Sequence, residues 1–274
     1  MSRAANRGSL LVGAGIFVSR IAGLLREMVS GRVLGNSAAA DALVTALRIP
    51  NLLQNLLGEG VLSASFVPVY SDALEHDDRR EASRIAGAVG AMLMAITAVT
   101  VLVIVLLARP ITRLLAWGLT GDTFDLAVDF TRITAIGVGF MVMSAWCLGI
   151  LNSNRSFFLP YAAPVVWNLA QIGALLIAWQ RDWSLADAAR GVAIGVAVGA
   201  LLQLLVQLPT VLSLARGLRF AFDNSNPRVR DVRRRFGPAV LGRGAVQLSA
   251  YLDLFLASFL AAGALSALFK AQIL

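Results

Sequence analysis

The chain has 274 residues, of which 58% are hydrophobic and 15% charged, against about 45–50% and about 25% in soluble domains; its mean hydropathy is +0.74. That balance excludes an ordinary soluble domain and points to an all-α polytopic membrane protein, because the apolar runs reach the roughly 20 residues of a spanning helix while ten-residue alternating strands are lacking. The net charge of +8 rests on 23 arginines and one lysine, placed between apolar runs where they set topology, so nucleic acid is not an expected partner.

In chain order, Arg3 and Arg7 precede the first apolar stretch in the manner of a signal peptide, but no small-residue cleavage site follows, so that stretch is expected to stay as a helix. Seven spans are predicted, at 9–33, 41–70, 85–107, 127–151, 157–179, 189–212 and 238–264. Pro50 and Pro68 should bend or end the second. Of the basic residues in the intervening loops, thirteen fall on one side and three on the other, which puts the N-terminus in the cytoplasm, the loop 213–237 inside and the loop 34–40 outside. The expected domains are an N-terminal lobe of six helices (1–212), a basic cytoplasmic linker (213–237) beside anionic lipid, and the incomplete start of a second lobe (238–274). His76, in an acidic stretch, reads as a surface residue. Cys147, inside an apolar run, reads as a buried inert thiol, and one cysteine builds neither a disulfide nor a metal site. No metal, cofactor or catalytic site is expected, since no carboxylates or histidines converge on a nucleophile.

The informative residues are the charges inside the first two spans, where each costs about 2.5–3.5 kcal/mol on insertion scales and so implies a cavity or a partner. Arg20 and Glu27 return to nearly one face of the first helix, and Arg26 points elsewhere. In the second, Asp41, Arg48, Asn51, Asn55, Glu59 and Ser63 follow at steps of seven, three, four, four and four, a single polar stripe on an otherwise apolar helix. Such a stripe faces water or a polar ligand, and an excess of arginine suits a pyrophosphate. The competing reading is mutual pairing, Arg20 with Glu27 or Arg48 with Glu59. Gln247 and Asp253 in the seventh span are further candidates for the same cavity. Asn168 and Gln171 read as interhelical hydrogen-bonding residues, Trp117, Trp179 and Trp183 as interfacial anchors, and the glycines at 191, 195 and 199 as a helix-packing ridge.

The run Ser19-Arg20-Ile21-Ala22-Gly23-Leu24-Leu25-Arg26-Glu27, followed by Ala40-Asp41-Ala42, Arg48-Ile49-Pro50-Asn51-Leu52-Leu53, Gly58-Glu59-Gly60 and Phe66-Val67-Pro68, resembles the opening of the MurJ/MviN family. Leu151-Asn152, Pro160, Ala163-Pro164, Asn168, Pro238-Ala239-Val240-Leu241-Gly242, Gln247 and Ala257-Ser258 continue the likeness over essentially the whole chain. The resemblance implies two six-helix lobes around a V-shaped central cavity, two further helices, and alternating access that carries lipid II, a lipid-linked pyrophosphate saccharide, to the outer leaflet. It also implies that Arg20, Arg26, Asp41 and Arg48 are charged cavity residues and that Glu59 is the acidic residue of the family motif. The sequence departs from the pattern at Gln54, where an arginine is expected, and at Gln272-Ile273, where an acidic–basic pair is expected; Lys270 is then a substitute cation. It also stops at Leu274, so the missing half is expected to come from more chain or from another protein of cell-wall synthesis. A flippase for another lipid-linked saccharide, a drug or cation exporter and a non-transporting scaffold are the alternatives.

Overall fold

The computed structural model describes residues 3–260 and 263–273, with side chains described throughout except at 3–9, 11, 245–253, 269–270 and 272–273. The chain order is α1 (Arg3–Leu34), α2 (Ala38–Leu57), α3 (Glu59–Ser65), α4 (Val67–Glu75), α5 (Arg79–Leu106), α6 (Ala108–Leu115), α7 (Gly121–Ser153), α8 (Phe158–Ala162), α9 (Pro164–Gln180), α10 (Leu185–Leu214), α11 (Pro227–Ala257) and α12 (Ala264–Ile273). Among the described residues, five helical stretches are long and apolar enough to cross a membrane: Ala38–Glu75, Arg79–Leu106, Gly121–Ser153, Phe158–Gln180 and Leu185–Leu214. The other two expected spans fall on α1 and α11, parts of which lie outside the described residues.

Local chemistry fixes the boundaries. Ser37, Asp78, Ser184 and Asn226 each accept backbone N–H bonds as N-caps of α2, α5, α10 and α11, and Glu81 and Asp187 follow three residues after their caps, the spacing that suits a helix start. The second span breaks at Gly58 rather than at Pro50. A Cβ on Gly58 would lie 2.2 Å from the carbonyl oxygen of Gln54, so only glycine fits that turn. Pro50 stays inside α2 because the Ala46 carbonyl, which loses its usual donor there, accepts the hydroxyl of Thr134 from α7 at 3.4 Å. The basic stretch 213–237 is also shorter as a loop than expected: α11 begins at Pro227, which places Arg228, Arg230, Arg233, Arg234 and Arg235 on helix.

Helix α7 is the axis of the bundle, packed against α2, α5 and α10, while α9 packs between α1 and α10. Its two halves serve two apolar clusters. Val138, Val142, Trp146, Ile150 and Leu151 meet Leu62, Phe66, Tyr70, Ile85, Val89 and Leu93 at one end, and Phe124, Ala127, Val128 and Phe130 meet Leu34, Leu43, Ala46, Leu175 and Val192 at the other. The glycine ridge of α10 lets backbones approach: Gly199 lies where a Cβ would meet the Trp167 carbonyl oxygen at 2.9 Å, and Gly195 meets Ala170 and Gln171.

Candidate functional site

Two cavities lie between α1 and the α2–α3, α7, α8, α9 and α10 walls, and the predicted polar residues divide between them. The first, about 70 Å³, is lined by Arg26, Glu27, Ser30, Asn51, Trp167 and Gln171, with Leu43, Leu47 and Leu175 among its apolar neighbours. The second, about 180 Å³, is lined by Arg20, Gln54, Glu59, Ser144, Tyr161 and Gln203. The stripe on the second span therefore does not face one cavity. The break at Gly58 turns Glu59 toward the second cavity, Asn51 reaches the first, Asn55 and Ser63 are exposed, and Arg48 is half-buried.

Arg26 pairs with Glu27, its neighbour in sequence, at 2.5 Å, and its guanidinium lies 5.0 Å from the centre of the Trp167 ring. Pairing thus occurs, but not between the residues the helical face suggested. Carboxylate and indole hold the guanidinium in place inside the bundle, and the aromatic face favours a desolvated cation. The buried indole N–H of Trp167 finds no acceptor among the described residues.

Asp41 has a different position. Only 3% exposed, its carboxylate accepts the backbone N–H of Gly263 and, at 2.8 Å, that of Ser266, so it caps the first turn of α12, where the helix dipole favours an anion. It borders a third cavity with Gly118, Thr120, Ser258 and Leu265. Beside it the Gly118 N–H donates to the Ser258 hydroxyl at 3.0 Å, a second tie between the α6–α7 turn and the end of α11. Gln247, Asp253 and Lys270, like Gln272 and Ile273, have side chains outside the described residues.

Asn168 and Gln171 do not bridge helices. Each amide donates to a carbonyl one turn earlier on α9, Pro164 at 3.0 Å and Trp167 at 3.2 Å. Interhelical amide bonds are made instead by residues such as Gln203 and Gln207 of α10, which donate to the Ser144 hydroxyl on α7 at 2.8 and 2.5 Å. Two glutamines four residues apart in an otherwise apolar span were the available signal for that polar wall. Arg243 of α11 was also missed; its guanidinium packs onto Gly60, beside Glu59, where a Cβ would lie 2.4 Å away. Cys147 is buried with a free thiol, and Trp117, Trp179 and Trp183 are exposed near helix ends.

The comparisons agree with this architecture. The family model for the lipid II flippase MurJ matches residues 31–274. Similar proteins include the probable lipid II flippase MurJ of Vibrio cholerae, 33% identical over 96% of this chain and 51% of that protein, and that of Aquifex aeolicus, 29% identical over 97% and 52%. Among solved structures, a lipid II flippase MurJ in an inward closed conformation superposes with a TM-score of 0.78 at 23% identity, covering 96% of this chain and 54% of that one. An inward-facing multidrug resistance transporter of the MATE family and MOP superfamily superposes at 0.68 with 17% identity, over 90% and 56%. The chain spans about half the length of the curated relatives it matches. A multi-pass helical membrane protein with the motifs of its first two spans and this fold, the chain belongs to the lipid II flippase MurJ family.

Proposed function

We propose that the chain supplies the first half of a flippase that moves a lipid-linked peptidoglycan precursor, lipid II, from the inner to the outer leaflet of the bacterial cytoplasmic membrane by alternating access. Residues 1–212 are its first lobe and 238–274 the start of its second, joined through 213–237, with the N-terminus in the cytoplasm. The observation that carries this reading is Arg26, a guanidinium kept inside the helix bundle between Glu27 and Trp167 at the edge of a cavity. With Arg20 at the second cavity and Arg48 half-buried on α2, it offers planar forks for a pyrophosphate. Asn51 at the first cavity and Glu59 at the second add polar contacts, with the exposed Asn55 between them in sequence. At about 70 and 180 Å³ these cavities are far smaller than a lipid-linked saccharide, and they serve as polar subsites lined chiefly by the first lobe.

Complementation of a flippase-depleted strain by the full-length gene tests this. Alanine at Arg20, Arg26 or Arg48 should abolish export with membrane abundance nearly unchanged, and lysine should restore part of it, since charge remains but the fork is lost. Growth at normal abundance with all three alanine variants sinks the pyrophosphate reading in favour of a scaffold or another substrate. In a Cys147→Ser background, a cysteine at Ser225 should resist an impermeant thiol reagent in intact cells; labelling there reverses the orientation.

A further inference from the structure

A groove of about 500 Å³ lies at the join between α10 and α11, on the flank of α5 and away from the two cavities, lined by Ala88, Met92, Phe222, Asp223, Asn224, Val229, Arg230 and Arg233. Its floor is apolar and its rim cationic. Arg230 and Arg233 are three residues apart, hence on one face of α11, and both are exposed. Arg233 donates to the amide oxygen of Asn224 at 2.6 Å, a neutral acceptor that orients the guanidinium without cancelling its charge. The one carboxylate in the groove, Asp223, is already neutralised by Arg84 at 2.6 Å and accepts from Ser225 and Asn226. The positive end of the α11 dipole adds to the field.

Phe222 is 68% exposed although the groove lies beside it. Past Met92, the exposed residues Ala95, Val99, Leu102 and Leu106 follow along α5 at steps of three or four, one continuous apolar stripe facing outward. The apolar run of α5 begins at Ile85, directly after Arg84. At 1.5 Å per residue, Ala88 and Met92 sit roughly 5 and 10 Å below that edge, the depth at which phosphate gives way to acyl chain.

The geometry points to this groove as a binding site for a single anionic phospholipid, its phosphate held by Arg230 and Arg233 and an acyl chain laid over Met92 and Phe222 onto the outer stripe of α5. A free phosphate gains nothing from that apolar floor, and a soluble polyanion does not reach the stripe. The bound lipid would clamp the join between α10 and α11 onto α5. The inference rests on the membrane placement of the helices and not on the transport reading.

The test is native mass spectrometry of the purified full-length protein titrated with phosphatidylglycerol, phosphatidylcholine or undecaprenyl phosphate. One phosphatidylglycerol should be retained in preference to phosphatidylcholine. Arg230→Ala with Arg233→Ala should weaken its retention about tenfold to thirtyfold, as two guanidinium contacts at a membrane surface imply. Both side chains are exposed, and circular dichroism with melting checks that the variant folds; Phe222→Ala, which leaves the charges in place, should also lower retention. Arg80→Ala with Arg181→Ala removes the same charge elsewhere and should leave binding unchanged. The inference is overturned by equal retention in the Arg230/Arg233 variant, by equal loss in the Arg80/Arg181 variant, by no preference over phosphatidylcholine, or by undecaprenyl phosphate alone showing the dependence on Arg230 and Arg233.

Discussion

Replacing Asp41 by alanine removes both acceptors from the first turn of α12 and strands the N–H groups of Gly263 and Ser266 in a buried site, at a cost of about 1–3 kcal/mol for each unsatisfied group. Asparagine keeps one carbonyl oxygen and should recover part of that loss. Thermal unfolding of the detergent-purified full-length protein should therefore rank wild type above Asp41→Asn above Asp41→Ala; an unchanged melting temperature in the alanine variant would show that the cap carries no stability. The sequence singled out Asp41 as a charge at membrane depth but not its task, because its partners lie 222 and 225 residues further along the chain. Arg26 and Glu27 were hidden for the opposite reason. Neighbours in sequence diverge by about 100° on a helix and ordinarily do not face each other, yet these two long side chains bend together beneath Trp167.

At the scale of elements, the join between α10 and α11 is pinned to α5 by polar contacts that composition did not disclose. Asn226 donates to Glu81 at 2.6 Å, Ser83 to the Arg216 carbonyl at 3.2 Å, and Phe220 packs 5.7 Å from the Trp146 ring. The stretch 213–237 read as a solvated basic linker because arginines dominate it, whereas its acidic, amide and aromatic residues also hold it, beside the Arg228–Asp72 pair at 3.3 Å. Asp223 makes this join sensitive to acid. The Ser225 hydroxyl chiefly, then the Asn226 N–H and Arg84, hold its carboxyl below the ordinary 3.8. A carboxyl whose folded pKa is depressed stabilises the fold fully above its unfolded value, and that contribution disappears as pH falls through the folded value. Hydrogen exchange at 216–226, corrected for intrinsic rates, should show constant protection from pH 7 to about pH 5 and a loss below about pH 4, and Asp223→Asn should flatten the profile. Identical acid dependence in that variant would assign the change to another group. By contrast, the glycine ridge of α10 and the break beside Pro68, which opens α4, were legible as elements, because small residues in an apolar helix and a proline that suits a first turn have few other uses; the break expected at Pro50 falls instead at Gly58, and Thr134 takes the carbonyl that Pro50 orphans.

Across the whole molecule, the apolar runs predicted the bundle well, since burial in lipid demands lengths that sequence displays directly. What runs could not display is how the last helices close on the first ten. At one end α12 is tied to α2 through Asp41, and Ser258 to the α6–α7 turn. Toward the other, α11 packs along α3 and the end of α2, with Arg243 against Gly60 of α3 and Gly244 beside Leu56 of α2. Both contacts join the proposed second lobe to the first. In the alternating-access cycle proposed above, the packing of α11 on α2 and α3 has to open. A Cβ on Gly244 would stand 3.6 Å from the Cδ2 of Leu56, so Leu56→Cys with Gly244→Cys, in a Cys147→Ser background, brings two thiols within reach of a short bifunctional reagent. Crosslinking in the full-length protein should be efficient and should abolish lipid II export, and a cleavable reagent should restore export on reduction. Either cysteine alone, treated the same way, should leave export intact, which separates locking from modification. Undiminished export with the crosslink fully formed would mean that these two helices stay together throughout the cycle and that the substrate passes by another route.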